Sequence, residues 1–365
     1  MTQNDVKFTV EGKILKVQAQ AMTSQSIRAM VMTAAENDVK AIDFSGVETV
    51  YFSALRELLT VSRLTIINTN QDTYERMRDT GVDVFHFVSP APIALDKSNF
   101  TAASKGVYSS TYFSNDGEAV AKLYDDEIPA WVICREKTLA RSMSILGVNT
   151  PLTGTLCSID GHLTLLYERV HNKKSVSRAI AENSNEMEKY TAIFTHHAMM
   201  MHQKQCDTNI FINYKSRLRG CILESKRFDW ETRENMLNFL NSVPDTNTFV
   251  HGAMEPSNLI FSDNKYQWID IANCAYGSPM FDCGMMYFQC HAQTPEMLEN
   301  IFHLTQKQMD EMWAIFCREY FSATSEEQIK QVDAMLKPYA ALTMFYMGHV
   351  YGYHEHLISF IKNVF

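Results

Sequence analysis

The sequence predicts an α/β segment followed by an α+β region that is β-rich at first and helical afterwards. Three observations predict it. Short apolar runs alternate with helix-spaced segments through the first quarter of the chain. Two turn signals, Asn115-Asp116-Gly117 and Asp160-Gly161, then sit between alternating runs, as hairpins require. From about residue 171 helical periodicity takes over, interrupted by one strand-rich island at Thr248–Ile271.

The elements follow in order. Val6–Val10 and Ile14–Gln18 read as strands joined by a tight Glu-Gly-Lys turn. Ser24–Ala35 carries helical spacing, with Thr23 or Ser24 as N-cap. Ala41–Phe44 and Leu64–Asn68 are short buried strands. Ser53 opens a helix as its N-cap, and Thr73–Asp79 is another, ended by Gly81. Residues 89–99 hold two prolines followed by polar residues and read as a linker. Lys105–Phe113, Ala119–Tyr124, Leu156–Ile159 and Leu163–Val170 are the next strands. Pro129–Leu146 is a helix stopped by Gly147. The expected organisation is therefore residues 1–95, 96–170 and 171–365.

Composition narrows the function classes. The 365 residues are 46% hydrophobic and 21% charged, which suits a folded chain of two or three domains. The formal charge is -9 and no long basic run occurs, so nucleic acid is not an expected partner. No apolar stretch approaches the ~18–20 residues that cross a membrane, and the first residues lack a signal layout. Eight cysteines form no CxxC pair, which favours buried thiols over zinc and a reducing cytosol. His196, His197 and His202 do not share one helix face and read as packing residues.

The informative stretch is His251-Gly252-Ala253-Met254-Glu255-Pro256-Ser257-Asn258, followed by Ile269-Asp270 and by Tyr276-Gly277-Ser278-Pro279 with Phe281-Asp282. Asn258 and Asp270 are oxygen donors at the ends of two short strands joined by the turn Ser262–Lys265. An amide oxygen and a carboxylate that converge this way can hold Mg²⁺, with phosphate oxygens completing the shell.

In its order of motifs this stretch resembles the catalytic centre of the aminoglycoside phosphotransferase and choline kinase group, within the protein-kinase-like fold. The resemblance implies a small β-rich lobe, residues 96–170, and a larger helical lobe, residues 171–365. It also implies ATP and Mg²⁺ as cofactors and transfer of the γ-phosphate to the hydroxyl of an unidentified small molecule. Lys122, within Val120–Tyr124, matches the lysine that holds the nucleotide phosphates, and Glu136 in the following helix is its ion-pair partner. Ser104 and Gly106 fall in the phosphate-covering loop. Glu168 and Val170 fall in the hinge, where backbone groups bind adenine. Asn258 and Asp270 match the metal ligands.

One departure matters most. Ala253 stands at the position of the family's catalytic aspartate, the carboxylate that takes the acceptor's proton. A methyl group cannot do so. A natural pseudokinase and an inactivating Asp→Ala substitution both fit. Glu255 is near in sequence and reads as solvent-facing. His251 reads as an organiser of the loop backbone rather than a base.

The first segment has its own resemblance. Ala41-Ile42-Asp43-Phe44-Ser45-Gly46-Val47, with the flanking strand and helix order, is similar to the STAS domain of anti-sigma factor antagonists. Ser53 falls where regulated members carry a phosphorylatable serine. The acidic residue and glycine that accompany it are replaced in Tyr51-Phe52-Ser53-Ala54. The resemblance implies a protein partner. A second reading of the whole chain follows from it: a regulatory or scaffold protein that senses nucleotide or docks partners without catalysis.

Overall fold

A computed structural model describes residues 6–105, 109–263 and 265–365. The chain divides into two units, Met1–Ser142 with Pro151–Arg169, and Met143–Thr150 with Val170–Phe365.

The first unit opens with strands β1 (Lys7–Glu11) and β2 (Ile14–Met22), helix α1 (Ser24–Glu36) and strand β3 (Ala41–Val50). Helix α2 (Phe52–Leu58), strand β4 (Thr65–Thr69), helices α3 (Gln71–Asp79) and α4 (Val82–Phe85) and strand β5 (Phe87–Pro90) follow. The five strands lie in sequence order in one sheet. β1 pairs antiparallel with β2, and every later pairing is parallel.

Burial explains these elements. β2 alternates strictly, with Leu15, Val17, Ala19 and Ala21 inward and Lys16, Gln18 and Gln20 outward. β3 begins with four buried residues, Ala41 to Phe44, as a strand covered on both faces must. Ile42, Phe44 and Ile66 join the apolar core with Ile27 and Met30 of α1 and Leu55 of α2. Ala41 and Ile67 point from the opposite face into a second cluster with Ile133, Cys134, Leu156 and Leu165.

The expected linker at 89–99 is not one. Only Ala91 and Pro92 separate β5 from strand β6 (Ile93–Leu95), which pairs parallel with a strand of the next sheet. Proline is compatible with a strand's end as well as with a loop. Ser53 is also not an N-cap. That position belongs to Tyr51, which makes no side-chain cap bond, and Ser53 is exposed within the first turn of α2. Thr23 caps α1 by accepting from the Ser26 amide.

The second sheet contains β6, β7 (Phe100–Lys105), β8 (Ser109–Ser114), β9 (Ala119–Tyr124), β10 (Thr153–Ile159) and β11 (His162–Glu168), in the order β6-β10-β11-β9-β8-β7. The expected strand Lys105–Phe113 is thus two strands. Helix α5 (Ala130–Leu146) lies between β9 and β10 in the chain, and Gly147 after it takes φ +78°.

The second unit is mainly helical. β12 (Lys174–Ser175), α6 (Val176–Glu182), α7 (Met187–His202), α8 (Tyr214–Glu224) and α9 (Trp230–Ser242) lead to β13 (Phe249–Val250), β14 (Leu259–Ser262), β15 (Lys265–Trp268) and β16 (Ala275–Tyr276). Helices α10 (Met280–His291), α11 (Pro295–Met297), α12 (Gln306–Phe321), α13 (Glu326–Tyr351) and α14 (Glu355–Lys362) complete it. α10 is buried along most of its length. Gly284 lets α13 cross it closely, since a Cβ there would lie 2.6 Å from the Ala340 amide nitrogen. No helix among the described residues is long and apolar enough to cross a membrane.

Candidate functional site

In the first unit, the register of β9 with β8 and β11 places Lys122 opposite Thr111 and Leu165. Lys122 Nζ donates to Glu136 Oε1 at 2.8 Å and lies 4.9 Å from the centre of the Tyr124 ring. Glu136 is buried, and the same oxygen accepts from the Tyr167 hydroxyl. Burial, with the Glu136 carboxylate beside it, holds the Tyr167 hydroxyl well above the ordinary phenol range. The expected pair is therefore formed, and Tyr167 is a third member that no sequence signal named.

The remaining expected residues of this unit are simpler. Ser104 lies on β7, exposed, beside a bulge and opposite Thr111. Gly106 lies outside the described residues. Glu168 ends β11, and its amide donates to the Leu152 carbonyl at 2.8 Å. Val170 begins the long segment of the second unit.

In the second unit, the loop between β13 and β14 is pinned from below. Asp282, at the start of α10 and without exposure, accepts from the amides of His251 at 2.7 Å and Gly252 at 2.8 Å. His202 Nε2 contacts the same carboxylate at 3.0 Å, and His202 Nδ1 contacts the Tyr320 hydroxyl at 2.7 Å. Gly252 is required here. Its φ is +75°, and a Cβ would lie 2.5 Å from the Asn273 carbonyl oxygen.

The pinned loop orients Asn258. Its Nδ2 donates to the Ala253 carbonyl at 2.9 Å, so its Oδ1 is the end left to act as an acceptor or ligand. The Ile269 amide donates to the Asn258 carbonyl at 2.9 Å, which places Asp270 one residue beyond that bond. Asp270 is exposed and adopts φ 60°, ψ 57°, a left-handed conformation that aspartate tolerates better than most residues. Arg217, buried, holds the segment that follows by donating to the carbonyls of Asn273 at 2.7 Å and Cys274 at 3.1 Å.

One expectation is corrected, that for Glu255. The His251 side chain is buried, with its ring centre 5.2 Å from that of Trp268. Burial lowers its pKa, which favours the neutral ring. The His251 amide ties the loop to Asp282. Glu255, expected to face solvent, is half-buried: Ser257 Oγ donates to one carboxylate oxygen at 2.6 Å and Gln289 Nε2 to the other at 3.1 Å. Burial pushes its carboxyl up to about 7.

Ala253 itself is buried, at 3% exposure. Phe281-Asp282 is legible in the sequence as part of the motif, but no local signal gives Asp282 a role. Its separation of some thirty residues from the loop hid the contact.

The fold is of a known class: a β-rich region followed by a helical one, matching the aminoglycoside-phosphotransferase kinase-like fold. Residues 207–315 match the family described as phosphotransferase enzyme family, a segment that contains the Ala253 loop, Asn258, Asp270 and Asp282. Among solved structures, an apo thermostable mutant of aminoglycoside phosphotransferase APH(4)-Ia is 10% identical over 73% of this chain and 92% of that one, with a TM-score of 0.52. A crystal structure of APH(4)-Ia is 9% identical over the same shares, with a TM-score of 0.51. A thermostable mutant in ternary complex with ADP and hygromycin B is 10% identical, again over 73% and 92%, with a TM-score of 0.50. No curated protein matches the chain.

Proposed function

We propose that this protein binds Mg-ATP in the manner of a small-molecule kinase and that Ala253 leaves it impaired in phosphoryl transfer to a hydroxyl. Lys122, held by Glu136, would hold the nucleotide phosphates. Ser104 and Gly106 belong to the segment that would cover them, and the backbone of Glu168 and Val170 to the hinge that would take adenine. Asn258 and Asp270 would hold Mg²⁺, which when bound screens the phosphate charge.

The observation that supports the reading is that Asn258 and Asp270 flank the β14–β15 hairpin, whose open end is closed by the Ile269 amide donating to the Asn258 carbonyl at 2.9 Å. The donor set also suits this ion. A pair of oxygen ligands completed by phosphate and water is the usual magnesium arrangement.

Impairment follows from the chemistry at Ala253. A methyl group takes no proton, and the Glu255 carboxylate is engaged by Ser257 and Gln289 rather than standing at position 253. Ala253 likewise supports the second reading, a chain that senses nucleotide or docks a partner without catalysis. The order of β1–β5 supports a STAS-like segment as its partner-binding part. A phospho-switch at Ser53 has less support, since the neighbouring acid and glycine are missing.

The direct test is thermal unfolding with Mg-ATP. Saturation to about 100 times Kd should stabilise the protein by about 2.7 kcal/mol. A folded protein that shows no shift at millimolar Mg-ATP would defeat the reading. If Lys122→Ala loses a partner only when ATP is present, nucleotide sensing gains over a pure scaffold.

A further inference from the structure

Helix α5 carries Glu136, and Glu136 holds Lys122. What holds α5 is therefore part of the phosphate-binding machinery. Within the first unit, α5 has two working faces. At about 100° per residue, Ile133, Cys134, Lys137 and Arg141 fall on one stripe of the helix, and Glu136 points off it.

That stripe meets the N-terminal sheet layer. Ile133 and Cys134 share an apolar cluster with Ala41 of β3 and Ile67 of β4, from the sheet face opposite α1 and α2. Lys137 Nζ lies 5.4 Å from the centre of the Tyr74 ring on α3. Arg141 pairs with Asp83 on α4, a carboxylate whose side chain is only 3% exposed. The connection between the layers is short, since Ala91 and Pro92 alone link β5 to β6.

We propose that the N-terminal α/β layer is a built-in brace for α5, and that Arg141 is a positioning residue for nucleotide binding. It acts through the helix to Glu136 and then Lys122, and touches no phosphate itself. A helix that carries the lysine's partner is the element whose position switches kinase-like sites between competent and incompetent states. Here that element is clamped by a layer at the start of the same chain. Whatever loosens the clamp should weaken nucleotide binding at a distance. The proposal rests on the reading of Lys122 as a phosphate ligand.

The test compares the full-length protein with Arg141→Ala, Arg141→Lys and Tyr74→Leu. Two quantities are measured: amide hydrogen exchange without nucleotide, and Kd for Mg-ATP. Arg141→Ala should speed exchange in residues 130–142, leave α10 and α13 protected, and weaken Mg-ATP by about 5-fold or more. Arg141→Lys, which keeps the charge, should restore most of both. Tyr74→Leu, a milder change, should act in the same direction and serves if Arg141→Ala fails to fold.

Unchanged exchange in α5, or faster exchange with unchanged Kd, would overturn the brace. A wild-type protein that binds no Mg-ATP would overturn the nucleotide reading, and the coupling with it. The first failure appears only in the comparison of variants, the second in the wild type alone.

Discussion

Ala253 and Glu255 show how much two neighbouring side chains can decide. Restoring a carboxylate with Ala253→Asp supplies the missing proton acceptor, and transfer from labelled ATP, or ATP hydrolysis, should rise by about 10²-fold or more. If both stay at the wild-type level, the missing-base explanation fails. Glu255 carries a pH signature. Its folded pKa is about 7, above the ordinary 4.5. Between those values the folded state holds a proton that the unfolded state has lost. Stability from this residue is therefore present below about pH 4.5 and declines as pH rises toward about 7. Glu255→Gln should flatten that decline in urea titrations across the window. An unaltered pH profile would contradict it. The sequence singles out Ala253 because the motif order marks it. It misplaced Glu255, whose surroundings depend on Gln289, 34 residues downstream.

Elements were more legible where local physics decides. The alternation in β2 and the Asp-Gly turn of β10–β11 are short-range signals, and both strands formed as expected. The 89–99 run was misread because proline and polar residues suit a strand end next to a sheet as well as a linker; pairing with β10, more than sixty residues later, decides the matter. The loop holding Asn258 is an element in the same sense, and its anchor can be tested. Asp282→Ala removes the acceptor of the His251 and Gly252 amides and of His202, and should destabilise the protein by about 3 kcal/mol or more in urea unfolding. Gly252→Ala introduces a Cβ 2.5 Å from a carbonyl oxygen at positive φ, and should cost about 2 kcal/mol or more. A loss below about half a kcal/mol for either would mean that the loop relaxes freely.

At the scale of the whole molecule, each unit carries part of the expected chemistry. Lys122, Glu136 and Tyr167 belong to the first unit; Asn258, Asp270 and the loop pinned by Asp282 belong to the second. The two sets were visible in the sequence as motifs in the right order. The clamp on α5 was not, because it joins α3 and α4 to a helix some sixty residues away through an ion pair and a ring contact that leave no pattern. The most direct measurement is titration calorimetry of ATP, with and without Mg²⁺, on the wild type, Lys122→Ala and Asp270→Ala. Wild type is expected to bind, Lys122→Ala to weaken binding in both conditions, and Asp270→Ala to lose the enhancement by Mg²⁺. A folded wild type that takes up no nucleotide, or affinities indifferent to both substitutions, would contradict it.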